Sequence, residues 1–203
     1  MHLGSGETIY RHLLPVPIAL KVIHAIVDAG SEPYVFEDSD RPGIEGSRVL
    51  FHPEKPVGDW AEIPRYRAHD EIMEDLPFEP VSVSAFGTPA IMRPLAAHLM
   101  QEFAGELSII QSGSEDTWGV EIYVANINKQ LGLETVAARL DVDREEVMAI
   151  GDHINDMEML QWAGTGIAMG NALPEVRAVA DWVTRDVLRD GVAYAIERYI
   201  FEI

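Results

Sequence analysis

Apolar residues alternate with polar ones in two different rhythms along this chain. In the first stretch, "PIALKVIHAIVDAG" (Pro17 to Gly30) repeats its apolar residues at helical spacing, with proline near the start and glycine at the end, which predicts a helix. "YVFE" and "RVLF" predict short strands. The proline- and charge-rich stretch from His52 to Pro80 predicts no definite element. "VSVSAF" alternates like a half-buried strand, "MRPLAAHLMQEFAG" reads as a helix stopped by Gly105, and "LSIIQS" with "GVEIYV" forms a strand pair. This is an α+β pattern with antiparallel strands, spanning residues 1–123.

From Val124 to Ile203 the rhythm changes. Helix "KQLGLETVAARL" leads to strand "VMAI", helix "NDMEMLQWA" to "GIAM", and helix "LPEVRAVA" to "WVT", with "GVAYAIERYI" closing the chain. Strict alternation with short connections implies right-handed crossovers and a parallel sheet, with strands at 147–150, 166–169 and 182–184. The overall class is α/β, in two domains, 1–123 and 124–203. Ligands of such sheets gather at the carboxyl ends of the strands, where Asp152, Asn171 and Thr184 fall.

Composition narrows the function classes. Apolar residues make up 47% of the 203 positions, enough for a sizeable core. The sequence contains no apolar run of the 18 or more residues needed to span a bilayer and no signal-peptide pattern, so a soluble, cytoplasmic protein is expected. Without cysteine it has neither disulfides nor a thiolate nucleophile. A formal net charge of −19 with no basic stripe argues against nucleic-acid and membrane partners.

The acid matters most in "VMAIGDHINDMEML", Val147 to Leu160. Gly151 lets the chain turn off a buried strand, so Asp152 is presented at its carboxyl end while Asn155 and Asp156 start the next helix. Two carboxylates so close repel unless a cation neutralises them, and all-oxygen ligation suits magnesium. The start of a helix also favours a nearby phosphate. Helix capping by the same two aspartates is the bland alternative, and spacing alone leaves both open.

The segment from Val147 to Tyr199 resembles the C-terminal half of the haloacid dehalogenase superfamily, in particular its Cof-type phosphatases. It carries G-D-x-x-N-D, then "AGTGIAMGNA", then "DGV". The resemblance implies the C-terminal half of a Rossmann-like core, preceded by an α+β cap that selects substrate, and a small phosphorylated metabolite as partner. It implies that Asp152 ligates Mg2+, with Asp156 supporting the metal or holding Lys129. Lys129 would neutralise the substrate phosphate and the attacking carboxylate, Asn155 would contact that phosphate, and Asn171 would shape the adjoining loop. Lys129, Asp152 and Asp156 are thus the expected catalytic residues, Asp152 and Asp156 the metal ligands, and Lys129, Asn155 and Asn171 the substrate contacts.

Family members attack phosphate with an aspartate from a D-x-D-x-T/V motif on the first core strand. The opening "MHLGSGETIYRHLLP" looks instead like the start of the cap, so the first half of the core is expected to be missing. Asp38-Ser39-Asp40 is a D-x-D, but Pro42 stands where threonine or valine belongs, so it reads as a polar loop of the cap. Gly4-Ser5-Gly6 is a turn without a P-loop lysine, and Ser112 to Asp116 a hairpin tip. The seven histidines make no H-E-x-x-H, and no G-x-S-x-G elbow is present. Two readings follow: a magnesium-dependent phosphatase that is inactive as this chain alone, whose expected partner is a second copy of the chain or the missing N-terminal half, with only the latter restoring turnover, or a non-catalytic protein that keeps the fold's metal and phosphate site.

Overall fold

The computed structural model describes residues 10–38, 49–51, 66–68 and 72–201. The chain divides into two compact units, Met1–Asn126 and Ile127–Ile203.

The first unit holds helix α1 (Val16–Asp28), strands β1 (Pro33–Phe36), β2 (Val49–Phe51), β3 (Tyr66–Ala68) and β4 (Ser82–Gly87), helix α2 (Pro89–Glu102), and strands β5 (Leu107–Gly113) and β6 (Trp118–Val124). Its strands form one sheet in the order β3-β2-β1-β4-β6-β5. Alternation decides what each strand buries: Val83 and Ala85 of β4 join Val120 and Ile122 of β6 against Val22, Ile23 and Ile26 of α1 and Leu95 and Leu99 of α2. The hairpin of β5 and β6 pairs Ile109 with Ile122. The other pairings are antiparallel as expected, except that β2 and β3 run parallel. β3 lies within the stretch from His52 to Pro80 for which no element was expected. Tyr-Arg-Ala is too short for alternation to announce a strand, and it forms one by pairing in parallel along β2.

The second unit alternates as expected. Helix α3 (Lys129–Leu140) precedes strand β7 (Met148–Gly151), helix α4 (Met157–Trp162), strand β8 (Thr165–Ala168), helix α5 (Pro174–Val179), strand β9 (Trp182–Val183) and helix α6 (Gly191–Tyr199). The three strands form a parallel sheet in the order β7-β8-β9, with Ile150 opposite Ile167 and Ala168 opposite Val183. Among the described residues β7 is therefore an edge. Its core is built largely from small side chains, Ala149, Ala163, Ala168 and Ala172, around Leu160, Met169 and Val176. No helix among the described residues is long and apolar enough to cross a membrane.

Candidate active site

Asp152 is the first residue past β7, exposed at the carboxyl end of the strand. A short 3-10 turn, Ile154–Asp156, separates it from α4, a turn that the helical pattern did not anticipate. This turn carries Asp156 back beneath the strand end, where its side chain is only 5% exposed. Its Oδ2 accepts the backbone N–H groups of Asp152 at 2.9 Å and His153 at 3.0 Å, and its Oδ1 accepts from Lys129 Nζ. Gly151 is required by this folding-back: a Cβ there would lie 2.4 Å from Asp156 Cβ and 2.7 Å from its Cγ. Burial pushes the Asp156 carboxyl up, but the Lys129 hydrogen bond, the two amides and the Lys129 charge outweigh it, and the group is held below the usual aspartate range.

Lys129 is the first residue of α3. Asn128 before it accepts the Leu131 N–H at 2.8 Å, so an N-cap fixes where the lysine leaves the backbone. The Lys129 side chain remains 48% exposed while its ammonium rests on Asp156. Asp156 thus links the Lys129 ammonium on one oxygen to the Asp152 main chain on the other.

On the other side of Asp152, Asn171 donates from Nδ2 to Asp152 Oδ2 at 3.1 Å and accepts the Val187 N–H at its Oδ1 at 3.0 Å. Gly170 just before it donates to the Arg185 carbonyl at 3.1 Å, and a Cβ at Gly170 would sit 2.7 Å from Asp186 N. Thr184 Oγ1, buried, donates to the Gly191 carbonyl at 2.7 Å and closes the loop between them.

The structure thus brings Lys129, Asp152, Asp156 and Asn171 into one hydrogen-bonded group. Asn155 lies half-buried in the 3-10 turn between the two aspartates. Asp38 follows β1 in the first unit and pairs with Arg11 at 2.8 Å. Ser39, Asp40 and Gly4-Ser5-Gly6 lie outside the described residues. Three contributions were not foreseen: the Asn128 cap, the amides that hold Asp156, and the Val187 N–H. An asparagine at a helix start is a readable signal. The others are main-chain groups common to every residue and carry none.

The donor set can be tested against a hard cation. Asp152 offers an exposed carboxylate with one oxygen committed to Asn171, whereas both oxygens of Asp156 are already hydrogen-bonded. Among the described residues no group of three or more His, Cys, Asp or Glu side chains converges. These residues fit one oxygen ligand of magnesium, an ion that keeps several waters, and not a closed cage.

A family model for haloacid dehalogenase-like hydrolase matches residues 4–196. The chain belongs to this family. Its Cof-type motifs and its α/β architecture agree with that membership. The chain is 29% identical over 152 residues to the stress response protein YhaX of Bacillus subtilis, covering 75% of this chain and 51% of YhaX. It is 40% identical over 95 residues to the 5-amino-6-(5-phospho-D-ribitylamino)uracil phosphatase YcsE of the same organism, covering 47% of this chain and 37% of YcsE. The chain thus spans about half or less of the length of these curated relatives. A haloacid dehalogenase-like hydrolase from Bacteroides thetaiotaomicron shares the fold, with a TM-score of 0.75, 24% identity, and coverage of 96% of this chain and 71% of that one.

Proposed function

We propose that this chain is the cation- and phosphate-handling part of a cytoplasmic, magnesium-dependent phosphatase of small phosphorylated metabolites, with residues 1–123 as its substrate-selecting cap and 124–203 as part of its catalytic core. The observation that carries the reading is the pairing of Lys129 with the buried Asp156 beside an exposed Asp152. An ammonium held by a buried carboxylate that also fixes the Asp152 backbone is an arrangement suited to a phosphoryl group. Asp152 is the magnesium ligand in this reading. Asp156, with both oxygens engaged, holds Lys129 and the turn. Lys129 meets the phosphate, and Asn155 lies close enough in sequence to contact it. Magnesium, when bound, supplies neutralisation of the transferring phosphoryl oxygens.

The nucleophile is proposed to come from a further strand, supplied by another segment of the same protein or by a second polypeptide. The edge of β7, which no described strand pairs with, supports this, because an added strand pairs there beside Asp152. This chain alone is expected not to hydrolyse a chromogenic phosphate monoester with magnesium. Supplying a polypeptide that carries the aspartate strand of a relative restores turnover, and Asp152→Ala abolishes it. Turnover by the chain alone that is lost in Asp38→Asn would overturn the reading and return the nucleophile to the first unit.

A further inference from the structure

The hydrogen bonds around Asn171 tie its side chain to two separate parts of the protein. A backbone N–H can only donate, so the Asn171 atom facing Val187 at 3.0 Å must be the carbonyl oxygen. That fixes the amide orientation and turns its NH2 group onto Asp152 Oδ2 at 3.1 Å. Each end of the side chain thereby makes one hydrogen bond within the protein. The loop that supplies the Val187 N–H is itself stapled. Thr184 Oγ1 bonds the Gly191 carbonyl, the Arg189 and Gly191 amides bond the Asp186 carbonyl, and Gly170 N–H bonds the Arg185 carbonyl.

We propose that Asn171 is a positioning residue that transmits the placement of the Thr184–Gly191 loop, through the Val187 N–H, to the carboxylate of Asp152. Donation to Oδ2 fixes the carboxylate plane and leaves Oδ1 to face a cation. Partners that orient a ligating carboxylate in this way change metal affinity by about 10- to 100-fold when removed. The proposal rests on the reading of Asp152 as a magnesium ligand, and it makes Asn171 a support for Asp152 where the family resemblance implied a substrate contact. It also gives a function to the main chain of Val187, a residue that is 64% exposed.

The test uses the full chain and two measurements. Val187→Pro removes the N–H donor. The site tolerates proline, because Val187 opens a 3-10 turn and Asp186 before it has φ −72° and ψ 168°, the extended conformation proline demands of its predecessor. The first measurement is hydrogen exchange at the Val187 amide. It is expected to speed up about tenfold or more in Asn171→Ala, and also in Asp152→Ala, since Asn171 loses its second anchor there. The second is magnesium titration followed by amide chemical shifts. The Val187 amide is expected to move with magnesium although it is no ligand, and Asn171→Ala and Val187→Pro each weaken binding about tenfold or more. The double variant is no weaker than either single one, because the two changes break one connection. Leu188→Ala, on the same loop and 92% exposed, serves as the unaffected control.

Unchanged Val187 exchange in Asp152→Ala overturns the proposal. So does full-strength magnesium binding by Val187→Pro, or additive losses in the double variant. If no variant and not even the unaltered chain responds to magnesium, the reading of Asp152 as a ligand fails, and the exchange measurement still decides whether Asn171 links the loop to Asp152.

Discussion

At the scale of single residues, Asp156 is the most constrained group in the site. It is nearly buried, accepts two backbone amides and holds Lys129. Its folded-state carboxyl lies below its ordinary value. A carboxyl depressed on folding stabilises the protein fully above its unfolded value, about 3.9, and that stability is lost as the pH falls through the lower folded value. Denaturant titrations of the unaltered chain should therefore lose stability below about pH 4. Asp156→Asn should be less stable at pH 7 and should lose less on acidification. Gly151→Ala probes the same packing from the other side. The added Cβ meets the Asp156 side chain at 2.4 Å, a contact that backbone or carboxylate must move to relieve. The expected cost is about 2 kcal/mol, measured as a shift in denaturation midpoint.

At the scale of elements, β7 decides how the second unit behaves. The Val147 carbonyl accepts from Thr165 N, and the Gly151 carbonyl from Met169 N, so the odd-numbered positions turn their polar groups to β8. By the alternation of a parallel ladder, Met148 and Ile150 turn theirs to the open edge. Such an edge recruits a further strand, from another copy if nothing else covers it. Concentration-dependent light scattering is expected to reveal association of the chain. Met148→Pro should reduce it with little change in circular dichroism, because it removes an outward N–H at the first residue of the strand. Val147 before it, at φ −93° and ψ 125°, already has the conformation that proline requires. Association that is indifferent to Met148→Pro would locate the contact elsewhere.

At the scale of the whole molecule, the two units differ in what they bury. The first packs Leu, Ile, Met and Phe side chains from two helices against a six-stranded sheet. The second relies mainly on alanines over three strands. Each methylene withdrawn from water contributes about 0.8 kcal/mol, so the alanine-rich unit has the smaller driving force. Hydrogen exchange at increasing denaturant should expose amides of 147–183 at a lower concentration than those of 82–124. Simultaneous loss of protection in both would mean that they unfold as one cooperative body.

Periodicity and punctuation determined a great deal here. The alternating helices and strands after Val124 are set by local pattern, and β7, β8 and β9 fall within about a residue of their expected bounds. Asp152 was legible as a carboxylate at a strand end, because the flanking apolar run fixes where the strand stops, whereas Gly151, expected to turn the chain, is the last residue of β7 and is a glycine because Asp156 packs against it. What the sequence left open was how side chains share partners across distance. Spacing allowed both aspartates to be ligands, but the 3-10 turn buries Asp156 under two amides and Lys129 and leaves Asp152 exposed. β3 formed where no pattern announced it, since a free strand edge offers hydrogen bonds to any backbone of suitable reach. The Val187 N–H was invisible for the same reason. A main-chain donor is identical at almost every position, and only the tertiary fold decides which one is turned toward Asn171 and hence toward Asp152.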